Sequence, residues 1–263
     1  MKFKIYILAF NEESNIERTL LNFKKLGVVE NVTVLDSGST DTTLDICYKL
    51  NVNVEVRAYK SHCETYNYLT NNDSYDFVLV FDADTYPDEE AWRSTEHFMS
   101  TASGERSAGA ADVKWWHEGH YLKHGCLYPC KPFVFKTSHK PYFVEVGHAE
   151  KLDGLQHIKL HGFLNNDDRK RFNDVMTKQL RYIDKSFSIY DGRIAGISAK
   201  KDKIRFNSPA WVFISVLYSF FYKRAFLSGK VGLLYCLDRM IIELLYYRKG
   251  LLERMNKRVI ENE

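Results

Sequence analysis

The chain has 263 residues, 45% of them hydrophobic and 27% charged, with a formal net charge of +3. That composition suits one large globular domain, or a domain with an appendage, and excludes the disordered and fibrous classes. Near-balanced charge argues against a nucleic-acid binder, and five unevenly spread cysteines argue for free thiols in a reducing compartment.

The N-terminus is basic and then apolar. The apolar run is short and breaks into Asn11-Glu12-Glu13 without a small-residue cleavage site, so it reads as a first strand, Phe3 to Ala9, and not as a leader. Ser14, with Glu17 three residues on, predicts a capping box. The helix it opens has Ile16, Leu20, Phe23 and Leu26 on its apolar face and stops at Gly27. Val32 to Leu35 predicts a second strand ending on Asp36. The turn Ser37-Gly38-Ser39-Thr40-Asp41 leads into a helix carrying Leu44, Ile46 and Leu50. Val52 to Val56 alternates as a third strand, and a polar helix follows from about Cys63 to Asn72. Val78-Leu79-Val80-Phe81 is continuously apolar, as in a strand buried on both faces, and runs straight into Asp82-Ala83-Asp84. Strands alternating with helices over about 85 residues predict βαβ units and a mostly parallel sheet.

Three strand ends carry polar or acidic residues: Asn11 with Glu12, then Asp36, then Asp82 with Asp84. Open α/β sheets bind ligands at the carboxyl ends of their strands. Two aspartates offer hard oxygens that suit Mg²⁺ or Mn²⁺, whose shell phosphate oxygens and water complete. No Gly-x-Gly-x-x-Gly follows the first strand, which disfavours a dinucleotide fold, and no P-loop motif is present.

The blocks Ile7-Leu8-Ala9-Phe10-Asn11-Glu12-Glu13, Val34-Leu35-Asp36-Ser37-Gly38-Ser39-Thr40-Asp41-Thr42-Thr43 and Phe81-Asp82-Ala83-Asp84, in that order, resemble family-2 glycosyltransferases. The similarity spans roughly the first 100 residues. It implies the α/β GT-A fold, a Rossmann-like mixed sheet flanked by helices, here with a C-terminal helical appendage. It also implies a nucleotide-sugar donor, taken as UDP-linked, a divalent metal and inversion at the anomeric carbon. By the same resemblance Ala9, Asn11, Glu12, Asp36, Ser37 and Ala83 line the donor, and Asp82 and Asp84 hold diphosphate and metal. The residue types make chemical sense of this. A carboxylate such as Asp36 accepts a uracil N3–H, Glu12 accepts ribose hydroxyls, and a metal neutralises the leaving diphosphate. Arg57, just past the third strand, offers the nucleotide a cation or is a plain surface arginine.

After a helix near Asp88–Ser100, Ala108 to Trp116 predicts a strand crossing toward the acceptor side. The stretch His117 to Cys130 is rich in zinc-ligand types but fits no standard spacing. It reads rather as histidine and aromatic groups lining a sugar site, or as surface loop. Trp115, Trp116 and Tyr121 stack on sugar rings or pack in the core. The resembling family places its general base in an acidic pair near here, but Val146 follows Glu145 where an aspartate is expected. Glu145 and Glu150 are therefore both candidates, with Glu145 preferred. Five positions apart in one strand, they would face opposite sides. His148 is a candidate further metal ligand or a structural histidine. His161, followed by Asp167-Asp168-Arg169-Lys170, is similar to a motif of bacterial surface-polysaccharide transferases. Asn166 or Asp167 is expected to cap a long helix carrying Phe172, Val175, Met176, Leu180, Ile183 and Phe187.

The tail differs. Trp211 to Tyr222 is apolar nearly all round and ends on Lys223 and Arg224, with a second apolar patch from Val231 to Tyr247. From 200 to 263, seven Lys and six Arg face six acids. Too short for the roughly 18–20 residues of a spanning helix, these stretches read as helices lying in a membrane interface and drawn to anionic lipid. A packed appendage or partner interface is the alternative. The reading is thus a GT-A domain over 1–165 and a helical region over 166–263. It describes an inverting enzyme peripheral on the inner face of the cytoplasmic membrane, transferring sugar to a saccharide or lipid-linked acceptor in lipopolysaccharide or other surface-glycan synthesis. A nucleotidyltransferase and a non-catalytic carbohydrate-binding protein are the alternatives.

Overall fold

The computed structural model describes residues 1–101, 106–146, 149–194, 197 and 200–260. The first strands and helices come in the predicted order: β1 (Phe3–Ala9), α1 (Ile16–Lys25), β2 (Val32–Asp36), α2 (Thr43–Lys49), β3 (Asn53–Val56), α3 (His62–Thr70) and β4 (Phe77–Asp82). They form a parallel block, β3-β2-β1-β4. Val78 to Phe81 are fully buried because both faces of this block are covered. On one face Ile5, Ile7 and Phe81 pack with Phe23 of α1; on the other Tyr6, Leu35 and Val80 pack with Tyr66 and Leu69 of α3.

Helix α1 stops as predicted. Gly27 takes φ +75, and the amides of Gly27 and Val28 donate back to the carbonyls of Lys24 and Phe23, the paired bonds of a Schellman ending. Its start is different. The N-cap residue is Asn15, not Ser14, and no side chain caps the helix. The reason is chemical: the Asn15 amide is engaged elsewhere, in the site described below.

β5 (Thr85–Pro87), α4 (Glu89–Thr101), β6 (Ser107–His117), β7 (His120–Tyr121), β8 (Lys131–Lys136), β9 (Tyr142–Val146), β10 (Ala149–Asp153) and β11 (Gln156–Asp167) follow. Among the described residues the main sheet continues β4-β8-β6-β11-β5, with β7 on β6, while β9 and β10 pair separately. β8 runs antiparallel to both β4 and β6, β6 and β11 are parallel, and β5 is antiparallel to β11. The sheet is therefore mixed, and the purely parallel part ends at β4.

The chain divides into two compact units, each built from more than one stretch. The first comprises residues 1–121, 128–143 and 152–170; the second comprises 122–127, 144–151 and 171–263. The second is mainly helical: α5 (Phe172–Tyr190), α6 (Lys200–Asn207), α7 (Ala210–Leu217) and α8 (Gly229–Ile260). The expected cap of α5 by Asn166 or Asp167 is not formed. β11 extends to Asp167, and Arg171 is the N-cap residue without a side-chain bond. The apolar tail is not one helix: α7 passes into a π turn, Tyr218–Tyr222, and a 3₁₀ turn, Ala225–Ser228, before α8. Among the described residues no helix is long and apolar enough to cross a membrane. Within this unit the buried Arg205 guanidinium ties α6 to α8. It donates to Glu243 at 2.7 Å and Asp202 at 3.3 Å and lies 3.2 Å over the Tyr246 ring.

The last strand of the first unit is placed by one aspartate and one glycine. Asp88 Oδ1 accepts from the Ala91 amide at the start of α4 (2.9 Å) and from the Phe163 amide of β11 (3.1 Å). β11 shifts register against β6 between Lys159 and Phe163, and Gly162 sits in that bulge at φ +80. A Cβ there would lie 2.1 Å from the Ala91 amide nitrogen. Gly162→Ala should therefore cost about 3 kcal/mol or more. Gly154→Ala, at φ +67 with open space around it, should cost about 1 kcal/mol. Urea denaturation of the two variants checks the difference; equal losses would contradict the close approach.

Candidate active site

The loops after β1 and β2 are laced together. Asn11, at φ +52, gives its amide to Ser39 Oγ, and its side-chain oxygen accepts from the Thr40 amide, both at 2.8 Å. The Glu12 amide donates to Thr43 Oγ1 at 2.8 Å, and the Glu13 carboxylate accepts from the Thr42 hydroxyl. Asp36 is 0% exposed. Its Oδ2 accepts from the Gly38 and Ser39 amides at 2.8 Å each, and its Oδ1 from the Ser39 hydroxyl. The Ser37 amide donates to the Ala9 carbonyl at 2.9 Å. The Asp-Ser-Gly-Ser-Thr-Asp block thus has a local explanation: a short acceptor, small donors and one Gly at φ +93 make a self-bonded loop.

The Asp-Ala-Asp turn is fixed at its centre. Ala83 donates its amide to the Leu8 carbonyl (3.2 Å), and its own carbonyl accepts from Thr19 Oγ1 (2.6 Å). Asp84 accepts from Thr85 Oγ1 at 2.9 Å and Asn166 Nδ2 at 3.1 Å, while its carbonyl takes the Asp167 amide. Asp82 is paired with the Lys131 ammonium. Glu12 accepts from Asn15 Nδ2 at 2.8 Å and from Lys170 Nζ at 2.6 Å. Burial pushes the Glu12 carboxyl up to about 7; Lys170 opposes this, and the charge of Asp84 adds to it.

Behind these groups lies a polar wall that sequence reasoning did not find. Asn15 is 0% exposed. It donates to Glu12 and to Asp168 (2.9 Å) and accepts from the Arg169 amide (2.9 Å). Asp167, 1% exposed, is held by Arg18 at 3.3 Å and Arg169 at 2.9 Å. Asp167, expected as a helix cap, is instead paired with Arg18 and Arg169 near the strand ends, and Lys170 of the same motif pairs with Glu12. The only signal for Asn15 was a polar residue just ahead of an apolar helix face, which also fits an ordinary cap. For Lys131 there was none.

The other predicted residues lie as follows. The Arg57 guanidinium is on Glu64 (2.7 Å) and over the Tyr68 ring (3.8 Å), and its amide donates to the Asp36 carbonyl (2.8 Å). Trp115 stacks on Tyr128 at 5.3 Å between ring centroids, Trp116 meets Tyr121 at 5.6 Å, and Trp116 Nε1 donates to Asn165. Glu145 belongs to the second unit, where it accepts from Lys185 at 3.2 Å. Glu145 and Glu150 are on separate strands, β9 and β10, so the parity argument for one continuous strand does not apply. The Glu150 side chain and the whole of His148 lie outside the described residues.

Among the described residues no group of three or more His, Cys, Asp or Glu is arranged to hold a metal. The donor set still fits Mg²⁺ or Mn²⁺. Such an ion needs one or two carboxylates and takes its other ligands from phosphate and water, and Asp82 and Asp84 on one turn would supply those carboxylates.

Residues 4–132 match the family described as Glycosyl transferase family 2. A stretch of 93 residues is 31% identical to the poly-beta-1,6-N-acetyl-D-glucosamine synthase of Staphylococcus aureus. It covers 33% of this chain and 23% of that protein, so the chain spans under a quarter of the curated relatives it matches. Among solved structures, the mannosyltransferase PcManGT of Pyrobaculum calidifontis, in complex with GDP-Man and Mn²⁺, superposes with a TM-score of 0.55. The identity is 12%, over 96% of this chain and 87% of that one. Glucosyl-3-phosphoglycerate synthase of Mycobacterium tuberculosis gives a TM-score of 0.36 and 22% identity over 43% of this chain and 44% of that one. The likeness to the mannosyltransferase shows the fold, GT-A.

Glu12 makes stability depend on pH. Its folded value, about 7, stands above the ordinary 4.5, so between these pH values the folded chain holds a proton that the unfolded chain releases. Stability should fall as pH rises through this window and level off above about 7. Glu12→Gln should remove that slope. Chemical denaturation of both proteins at pH 5 and pH 8 measures it; parallel pH profiles would contradict the raised value.

Proposed function

The chain belongs to glycosyl transferase family 2 through residues 4–132, and from that premise we propose that it is an inverting enzyme. It moves a sugar from a nucleoside-diphosphate sugar to a hydroxyl of a saccharide or lipid-linked acceptor during surface-glycan synthesis. The observation that carries the reading is the placing of the Asp-Ala-Asp turn beside the end of β1, where Leu8 pairs with Asp82 and its carbonyl takes the Ala83 amide, next to the laced loops that follow β1 and β2. The name of the S. aureus relative, a polysaccharide synthase, supports a glycan acceptor.

Each group has a task. Asn11 and Glu12 take the nucleoside, Glu12 accepting from ribose hydroxyls. Asp36 serves the nucleotide through the loop it bonds, and Arg57 steadies the same loop from the end of β3. Asp82 and Asp84 face the diphosphate, where a bound Mg²⁺ or Mn²⁺ supplies positive charge to the leaving group. Glu145, with Glu150 the second candidate, accepts the acceptor's hydroxyl proton. The freed oxygen bonds to the anomeric carbon as the bond from that carbon to the diphosphate oxygen breaks. Protein given a panel of UDP- and GDP-sugars with Mn²⁺ and a glycan acceptor should release nucleoside diphosphate, and EDTA should stop it. Asp84→Ala should abolish release, and Glu145→Gln should slow it by roughly 10²–10⁴-fold. Pyrophosphate as the product would favour a nucleotidyltransferase, and full activity of Asp84→Ala would refute the metal assignment.

The second unit is proposed to lie on an anionic membrane. Phe213, Leu217, Phe221, Tyr222, Phe226 and Leu227 are exposed, Tyr222 to 71%. Lys223, Arg224 and Lys230 beside them are exposed too. Apolar side chains with flanking cations match an interface of acyl chains under anionic headgroups, each cation adding about 1 kcal/mol that salt weakens. The full chain should sediment with phosphatidylglycerol vesicles at low salt and less at high salt. A chain that stays in the supernatant at low salt would make these helices a packing or partner surface and favour a soluble acceptor.

A further inference from the structure

A cation of the protein's own meets the Asp-Ala-Asp turn. Lys131 opens β8, the antiparallel strand between β4 and β6, and its ammonium donates to Asp82 Oδ2. The Lys131 side chain is 11% exposed and that of Asp82 is 34%, so the pair sits at the rim with the lysine on its inner side. Asp84, on the same turn, accepts from Thr85 Oγ1 and Asn166 Nδ2. Of the two carboxylates read as metal ligands, Asp82 therefore carries a buried counter-charge.

The Lys131–Asp82 pair has a consequence for any divalent ion. An ion approaching Asp82 meets an ammonium already in contact with the carboxylate. It gains one attraction and incurs one repulsion at similar range, so the two largely cancel. A nucleoside diphosphate changes the balance, because its oxygens supply negative charge to both cations at once. We propose that Lys131 makes metal binding conditional on the donor. It closes Asp82 to bare metal, then turns to a diphosphate oxygen when nucleotide and metal arrive together. This rests on the reading of Asp82 and Asp84 as the diphosphate and metal site. Lys131 is a positioning residue for that site, and the coupling is reciprocal: metal and nucleotide each strengthen the other's binding by the same factor.

The test measures Mn²⁺ binding by electron paramagnetic resonance with and without UDP or GDP, on the full chain. Wild-type protein should bind bare Mn²⁺ weakly and bind it at least roughly tenfold more tightly with nucleotide. Lys131→Met should bind bare Mn²⁺ roughly tenfold more tightly than wild type, bind nucleotide more weakly and lose most of the coupling. Lys131→Arg, which keeps the charge, should resemble wild type. A merely structural lysine would not tighten metal binding when removed. Unchanged bare-metal affinity in Lys131→Met overturns the inference while leaving the transferase reading in place. So does wild type that binds bare Mn²⁺ as well as nucleotide-bound Mn²⁺, a result that holds whether or not the variant folds. Absence of Mn²⁺ binding with either nucleotide overturns the inference and the metal reading together.

Discussion

Carboxylates gathered at the ends of neighbouring strands repel unless each is answered by a proton, a donor or a cation. Every acidic group at this rim has such an answer, and the answers differ. Asp36 is held by backbone amides of its own loop. Asp84 is held by a hydroxyl and an amide, Asp82 by an ammonium, and Asp167 by two guanidiniums. Glu12 has an ammonium and an amide, and burial still raises its proton affinity. The chemistry proposed for the site follows from this grading. A group spent on backbone amides shapes the site, whereas a group paired with a movable side chain can exchange that partner for a ligand.

The partners come from far along the chain. Lys131, Asn166, Arg169 and Lys170 follow the parallel block, and β8 and β11 bring them back beside it. That return depends on backbone detail. The Asp88 carboxylate ties the start of α4 to β11, and Gly162 lets β11 approach α4 so closely that a Cβ at that position would lie 2.1 Å from the Ala91 nitrogen. Asn166 and Asp167 then fall beside Asp84. The acids Glu12, Asp82 and Asp84 stand at or just past the ends of β1 and β4, while Lys131, Asn166 and Lys170 that answer them come from later elements, so neither stretch makes the site alone.

This arrangement explains what could be read from the sequence. β1 to β4 were legible because doubly buried strands are continuous apolar runs, and because Gly27 marks a helix end by backbone geometry alone. The strand-end acids were legible because polarity changes abruptly there. The compensating cations were not: a lysine at the start of an antiparallel strand, such as Lys131, has no periodicity, and its partner lies 49 positions away. The cap predictions failed for a related reason. Ser14, Asn166 and Asp167 had suitable side chains, but Asn15, Asn166 and Asp167 are engaged by the rim instead. Charge compensation among groups distant in sequence took precedence over local capping, and spacing within one chain does not record it.

Asp36 shows how far a resemblance extends to an individual residue. A carboxylate at this place suggests direct acceptance of a base N–H. In the structure it is 0% exposed, and both oxygens bond the loop. Turning Oδ2 to a base would release the Gly38 and Ser39 amides, at about 1–3 kcal/mol each where they are buried, and turning Oδ1 would release the Ser39 hydroxyl. For the proposed transferase, the favoured arrangement would keep Asp36 in the loop and leave base recognition to the groups the loop presents. Identity of the base then depends on loop shape more than on one acidic side chain. The same Asp-Ser-Gly-Ser-Thr-Asp block is thereby compatible with uracil or guanine, both of which offer a ring N–H beside a carbonyl.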